Sequence, residues 1–471
     1  MSRRERTRRA FTLVPLLAVS LGCPAWGQEA TEAPGRQPDT AEPPAMDLRA
    51  CILTALRNSP QLVLAAVSVD SARSSVDLAR SGYYPQVTGD AAVAVGQTGT
   101  TQGTGTPTTT NRVTNGVGIG LDWTLYETGR LEGTAESRAG LEAALLDRLD
   151  VLQTLVQQVA DDYYAYLASL ELLAVAERGV EAATQHVNDV QKRIVIGKAA
   201  EVEIYAVNED LALAELDLID AKSGIQTSLA QLRNTMALDH TAPIRIATEP
   251  PKGENSDLPG ATAPDPEQTL PSLDQAVADA LARRPDLRAG DATIKARAYA
   301  LKRADRARGP QFSVGSTASY DYAIGAGGSP RWQLQAGMSW PLFDGRAGEA
   351  TEDRAEAGLR QAKASRRQLE LQISLEVEQA LIELERTSER VRTGERSVAA
   401  ADARLRTARS RYANGVGILL EVTDARASDT SAAADLVRAR FGRDVARVAY
   451  QRATGTLPIP SVAEALGGGA R

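Results

Sequence analysis

The side chains able to do chemistry are few and scattered. Only two histidines occur, His186 and His240, and neither belongs to a metal-ligand pattern or lies near a cysteine. The two cysteines are Cys23, inside an N-terminal apolar run, and Cys51, alone in a helical pattern. The glycine-rich "GVGIG" at 116–120 lies within an alternating strand and not between a strand and a helix, so it is no nucleotide loop. With 53 Lys+Arg against 60 Asp+Glu the net charge is −7, which excludes the basic surface a nucleic-acid binder needs to displace counterions. No enzyme, no cofactor and no resident metal are expected. Function must therefore lie in how the elements are arranged.

The N-terminus reads as an export signal. "MSRRERTRRA" is a basic segment, "FTLVPLLAVSLG" is a short apolar one, and Ala25 and Gly27 supply small residues at −3 and −1 of a cleavage site after Gly27. The apolar run is far shorter than the ~20 residues of a spanning helix. Loss of residues 1–27 leaves Cys51 as the one cysteine and no internal disulfide. Cys23 carries two readings, an acceptor for lipid or a residue removed with the signal; Ser20 and Leu21 before Gly22 fit the lipoprotein pattern poorly.

The chain is written twice. "LRACILTALRNSPQL" (48–62) aligns with "LDQAVADALARRPDL" (273–287), and "YPQV" (84–87) with "GPQF" (309–312), both at an offset of 225. "WTLYETGR" from Trp123 aligns with "WPLFDGR" from Trp340 at 217, and "IGKAAEVE" from Ile196 with "NGVGILLE" from Asn414 at 218. Four anchors in one order define a tandem repeat. The expected organisation is a signal peptide at 1–27, an N-terminal tail at 28–46, repeat 1 at 47–242, a Pro-rich linker at 243–271, repeat 2 at 272–457 and a C-terminal tail at 458–471.

Each repeat opens with a helical segment, about 47–81 and 273–308. Two alternating segments follow, read as strands at about 86–96 and 112–125 in repeat 1 and at about 310–322 and 331–343 in repeat 2. One face of the second carries Val113, Val117, Ile119, Leu121 and Trp123, and the other Thr114, Gly116, Gly118, Gly120 and Asp122. Lengths near the ~9–11 residues of a tilted transmembrane strand, with aromatics toward the ends, favour strands in a bilayer over a surface hairpin. Trp123, Trp332, Trp340, Tyr320 and Tyr322 are the expected aromatic girdle in contact with lipid, and 97–111 reads as a polar outer loop. Four strands cannot close a barrel, and lipid does not tolerate open sheet edges, so several copies must share one.

No proline occurs between Pro107 and Pro243 or between Pro341 and Pro458, which permits very long helices. Leu145, Leu149, Leu152, Val156, Val159, Tyr163, Tyr166, Leu170 and Leu173 keep a heptad spacing, and Ile373, Val377, Ala380, Leu384, Thr387 and Val391 keep it less strictly. A helix from Arg130 to Ile196 would span ~100 Å. Gly197 and Gly415 mark the tips, where shorter return helices begin (198–238 and 418–457).

These residues resemble the TolC-like outer membrane efflux protein (OEP) family. "ALRNSPQL" with "RRPDL", "YYPQV" with "GPQF", "LDWTLYETGR" with "MSWPLFDGR" and the two glycine tips carry the resemblance, over about 47–457. It implies an α+β membrane protein. Each protomer of a homotrimer would give four β-strands to a shared trimeric 12-stranded outer-membrane β-barrel and long coiled-coil helices to a periplasmic α-barrel. The 243–271 linker and C-terminal tail would form an equatorial belt. Such a protein is a passive exit duct of a tripartite efflux or type I secretion system in the outer membrane of a Gram-negative bacterium. Its partners are a periplasmic adaptor (membrane fusion) protein and an inner-membrane transporter.

The resemblance also implies roles at the tips. Glu421 and Asp424 match acidic positions that ring the periplasmic gate, and Glu203 with Ala206 are their counterparts in repeat 1. Tyr412 matches a tip tyrosine that bonds an acid at the position of Glu203. Gly417 stands where some members carry a basic latch, and Ile194 where repeat 1 usually carries an aromatic. Ile196, Gly197, Asn414 and Gly415 are the expected adaptor contacts. A periplasmic coiled-coil scaffold or adaptor protein without a pore is the alternative; it would explain the heptads and the signal but not duplicated alternating strands.

Overall fold

A computed structural model describes residues 45–100, 108–247, 271–323 and 327–459. The signal peptide, nearly all of the N-terminal tail, most of the linker, residues 101–107 and 324–326, and all but two residues of the C-terminal tail lie outside the described residues. Asp47 caps α1 (Leu48–Asn58) by accepting from the amide of Ala50, and α2 spans Pro60–Ser81. The equivalent pair beyond the linker is α5 (Leu273–Arg283), capped by Ser272, and α6 (Pro285–Arg306). The opening segments are therefore two helices each and not the single helical segment expected from sequence; α1 and α2 meet at 49°. The cause is proline. The residue before it is driven out of the helical region, and Ser59 and Arg284 have ψ of 120° and 127°.

Strands β2 (Gln86–Thr100), β3 (Thr108–Glu127), β5 (Gln311–Ala323) and β6 (Gly327–Ser339) form one antiparallel sheet in the order β2-β3-β5-β6. β1 (Ala45–Met46) and β4 (Arg245–Ile246) make a short parallel pair. The strands differ from the alternating segments at their ends. β2 and β3 run farther into the presumed 97–111 loop, pairing Gln97 with Asn111 and Thr100 with Thr108, because threonine suits a pleated ribbon. β6 lies four residues earlier than 331–343: as an edge strand it accommodates Pro330, and it ends before Pro341, which has no amide to give. Trp340 and Leu342 thus lie past the strand.

Register puts Thr88, Asp90, Gly118, Gly120, Asp122, Thr317, Ser319, Asp321, Gln333 and Gln335 on one face. The other face carries Val87, Val93, Val117, Ile119, Phe312, Tyr320, Trp332, Leu334 and Met338, all exposed. Both outer edges, of β2 and of β6, have no partner strand among the described residues.

The sheet passes directly into α3 (Arg130–Val195) and α7 (Ala347–Ala413), of 66 and 67 residues. α4 (Glu203–Thr235) and α8 (Leu419–Ala453) return alongside them. α2 packs on α3, and α6 packs on both α3 and α7, so each long helix is flanked by several shorter ones. The main core gathers Leu48, Ile52, Val156, Val159, Tyr163, Leu232, Met236 and Ile246; a second gathers Ala280, Leu287, Ile373, Val377, Leu384 and Tyr450. The seam in α7 is buried at Ile373, Val377, Leu384, Thr387 and Val391. In α3 the stripe holds from Leu152 onward but shifts before it: Leu145 and Leu149 are exposed, and Ala143 and Leu146 are buried in their stead. Heptad spacing over that turn fits two faces, and α6, which supplies Ala289 and Ala292, covers the one with the alanine.

Candidate functional site at the hairpin tips

Both tips close by the same backbone device. Gly197 and Gly415 have φ of 70° and 76°, a region closed to most side chains. The amide of Lys198 donates to Arg193 O and that of Gly197 to Ile194 O, while Val416 donates to Arg411 O and Gly415 to Tyr412 O. This is the Schellman pattern, which satisfies the last carbonyls of α3 and α7. Ile196, Gly197, Asn414 and Gly415 all stand exposed at these turns. Around them Val195, Ile196, Val202, Tyr205, Val416, Ile418 and Leu420 expose apolar surface.

Behind the turns the side chains join the two hairpins. Tyr412 Oη donates to Glu203 Oε2 at 2.7 Å, linking the end of α7 to the start of α4. Burial, and then the Glu203 carboxylate that accepts from it, push the Tyr412 hydroxyl up to about 12, so it remains a donor. Glu421 pairs with Arg411 at 3.2 Å, across the turn of its own hairpin. Asp424 is exposed one turn farther along α8. Val422 and Ala425 pack inward against Leu405 and Ala408, which leaves Glu421 and Asp424 off the coil interface.

Three groups here were not singled out from sequence. Arg193 reaches from α3 to the carbonyls of Tyr412 and Ala413 at 2.9 and 3.1 Å, with its guanidinium 4.6 Å from the centre of the Tyr412 ring. A basic residue in the last turn of a helix was the available signal. His186 lies edge-on to the same ring at 6.3 Å; burial and the charges of Arg426 and Arg409 hold it down at about 4, hence neutral. Arg426, buried on α8, pairs with Asp210 on α4. Gly417 is tightly placed: a Cβ there would sit 3.0 Å from Arg411 Cβ and from the amide nitrogen of Tyr412, so a side chain would require its neighbours to give.

At the other end, where sheet becomes helix, Trp123 and Trp340 hold equivalent contacts. The Trp123 indole donates to Tyr83 O and the Trp340 indole to Arg308 O, each at 3.0 Å. Each ties the exit of a strand pair to the chain just beyond the preceding helix. Trp332, Tyr320 and Tyr322 stand exposed nearer the β5–β6 turn. Cys51 is buried in the main core and its thiol is pushed up to about 12, which leaves it unreactive.

A four-stranded sheet continuous with two long helical hairpins is the fold of outer-membrane channels. Solved structures of CusC, of the outer-membrane channel OprN and of the Campylobacter jejuni CmeC outer membrane channel each match with a TM-score of 0.73. Their identities are 21%, 21% and 17%; 87%, 88% and 88% of this chain are covered, with 92%, 91% and 86% of theirs. The chain belongs to the outer membrane efflux protein family, whose model matches residues 52–238 and 276–456. Among its relatives, Outer membrane efflux protein BepC of Brucella suis is 24% identical over 425 residues (87% of this chain, 85% of that protein). Cation efflux system protein CusC of Escherichia coli K12 is 24% identical over 427 residues (87% and 86%). The protein is an outer-membrane efflux channel, and the pore-free scaffold is set aside.

Proposed function

We propose that the chain is the exit duct of a tripartite assembly, three copies sharing one barrel and one helical tunnel, passively conducting what a periplasmic adaptor and an inner-membrane transporter deliver. The observation that carries this is the sheet itself: four strands, an exposed apolar face, an opposite face of Gly, Ser, Thr, Gln and Asp, and two open edges. In lipid each unpaired edge costs several kcal/mol per group, and pairing β6 of one copy with β2 of the next removes both edges. Twelve strands from three copies match the homotrimer of the resemblance. Trp123 and Trp340 near the helical end, with Tyr320 and Tyr322 near the outer turn, serve as two girdles. From the level of Trp123, opposite Val314, to Tyr322 is eight residues, ~27 Å along a strand and less when tilted, close to the ~25 Å apolar band of such barrels.

The tips form the periplasmic gate. Glu421 and Asp424 lie off the coil interface, and three copies would set six carboxylates around the mouth, attracting cations. Ile196, Gly197, Asn414 and Gly415, with the exposed apolar residues beside them, are where an adaptor docks. The two halves are read as an ancient duplication, each giving one hairpin. Relatives named for cation efflux and for pyoverdine export support a reading in which one scaffold serves unlike cargoes and the transporter chooses among them.

The test is the reversal potential of the reconstituted channel in a salt gradient, wild type beside Glu421→Ala/Asp424→Ala. A cation preference that falls in the double variant supports the acidic mouth. An unchanged preference removes Glu421 and Asp424 from it.

A further inference from the structure

The two hairpins of a protomer touch chiefly through α3 and α8, and near their tips Arg193, Tyr412 and Arg426 reach from one to the other. One crossing differs in kind from the rest. Arg193 belongs to the last turn of α3, where a basic side chain ordinarily caps its own helix. Here its donors leave that helix. Nη1 and Nη2 go to Tyr412 O and Ala413 O, two of the terminal carbonyls of α7, with the plane of the guanidinium beside the Tyr412 ring. α7 ends at Ala413 and presents its negative dipole end at that point.

Tyr412 in turn donates to Glu203 at the start of α4. The contacts run α3 to α7 through Arg193 and α7 to α4 through Tyr412, closing a loop around both tips of one protomer. In the second hairpin the basic side chain of the last turn, Arg411, is engaged with Glu421, and Gly417 abuts Arg411 and Tyr412. A planar fork satisfies two carbonyls at once; a lysine, a point charge on a flexible stem, does not.

We propose that Arg193 is the positioning residue that ties the two hairpin tips of a protomer into one body, by capping the end of α7 from α3. Its consequence for gating rests on the reading of the tips as the periplasmic entrance: tips that are tied cannot part singly, and the entrance stays narrow until both hairpins move together.

The tie is read directly by the distance between spin labels on the two turns. Lys198→Cys and Val416→Cys place labels at exposed positions, one on each tip. The labelled full chain is mixed with excess unlabelled chain so that distances within one protomer dominate. With Arg193 present the distribution is narrow; in Arg193→Ala it broadens, and Arg193→Lys, which keeps charge and loses the fork, broadens toward the same result. A distribution unchanged in both variants overturns the tie. Far-ultraviolet circular dichroism shows whether each variant keeps its helices, and Arg193→Lys guards against a defect of the alanine variant.

Single-channel recording of the same variants then separates the two ideas. A broadened distribution with open probability raised on the order of tenfold, the factor expected for one charge-assisted contact, upholds both the tie and the entrance. A broadened distribution with unchanged open probability upholds the tie and refutes the entrance reading.

Discussion

Replacing Tyr412 by Phe removes one hydroxyl and little else. The ring remains beside the Arg193 guanidinium and His186, and the backbone carbonyl still accepts from Arg193. What is lost is the 2.7 Å bond to Glu203. A hydrogen bond to a charged group contributes about 1.5–3 kcal/mol when sheltered; Tyr412 and Glu203 are only half-buried, so ~1 kcal/mol per tip is the reasonable figure. That is about fivefold in the balance between closed and open for one tip. If three copies share the proposed duct and open together the effect is ~3 kcal/mol, about 150-fold, so the size of the change reports whether opening is concerted. The assay is single-channel open probability at fixed voltage. The hydroxyl's value is raised to about 12, so its contribution is fully present below tyrosine's ordinary value near 10 and is lost only as pH rises through about 12. The ratio of variant to wild type is therefore flat from pH 6 to 9. A change under twofold, or a ratio that moves across that range, would mean that the Tyr412–Glu203 bond does not hold the tip closed.

Three other outcomes are expected. Asp161 is held up at about 7 by burial, one carboxylate oxygen has no partner, and only Gln157 donates to the other. Protonation below that value favours the fold, and this contribution is lost as pH rises from about 4 through about 7, so Asp161→Asn raises the melting temperature at pH 8 and makes little difference at pH 4. Trp123→Phe and Trp340→Phe each lose an indole bond to a carbonyl, about 1 kcal/mol, and hydrogen exchange quickens at residues 80–84 and 306–310 respectively. Arg284, buried at the kink between α5 and α6, pairs with Asp286 and Glu376; Arg284→Ala leaves both acids without it and lowers stability by about 3–5 kcal/mol in a denaturant melt of the solubilised protein.

What could be read from sequence was whatever repeats along one element. Period-2 alternation found all four strands of the sheet, and the absence of proline found α3 and α7. Element ends were less legible, because they depend on neighbours: Pro330 belongs to β6 only because β6 is an edge, and Leu145 and Leu149 keep the heptad spacing yet lie off the face that α6 covers. The kinks at Ser59 and Arg284 are legible as X-Pro steps inside otherwise continuous helical periodicity, which hides them. At the tips, the glycines at 197 and 415 announced the turns. Arg193 did not announce itself, since the carbonyls it caps lie 219 and 220 residues away and no local pattern encodes such a crossing.

If several copies of this chain close a water-filled duct through a bilayer, the purified protein carries current across a planar membrane. Discrete, equal steps of conductance with a preference for cations are expected. Folded protein that inserts and carries no current, or that never inserts, would contradict such a duct.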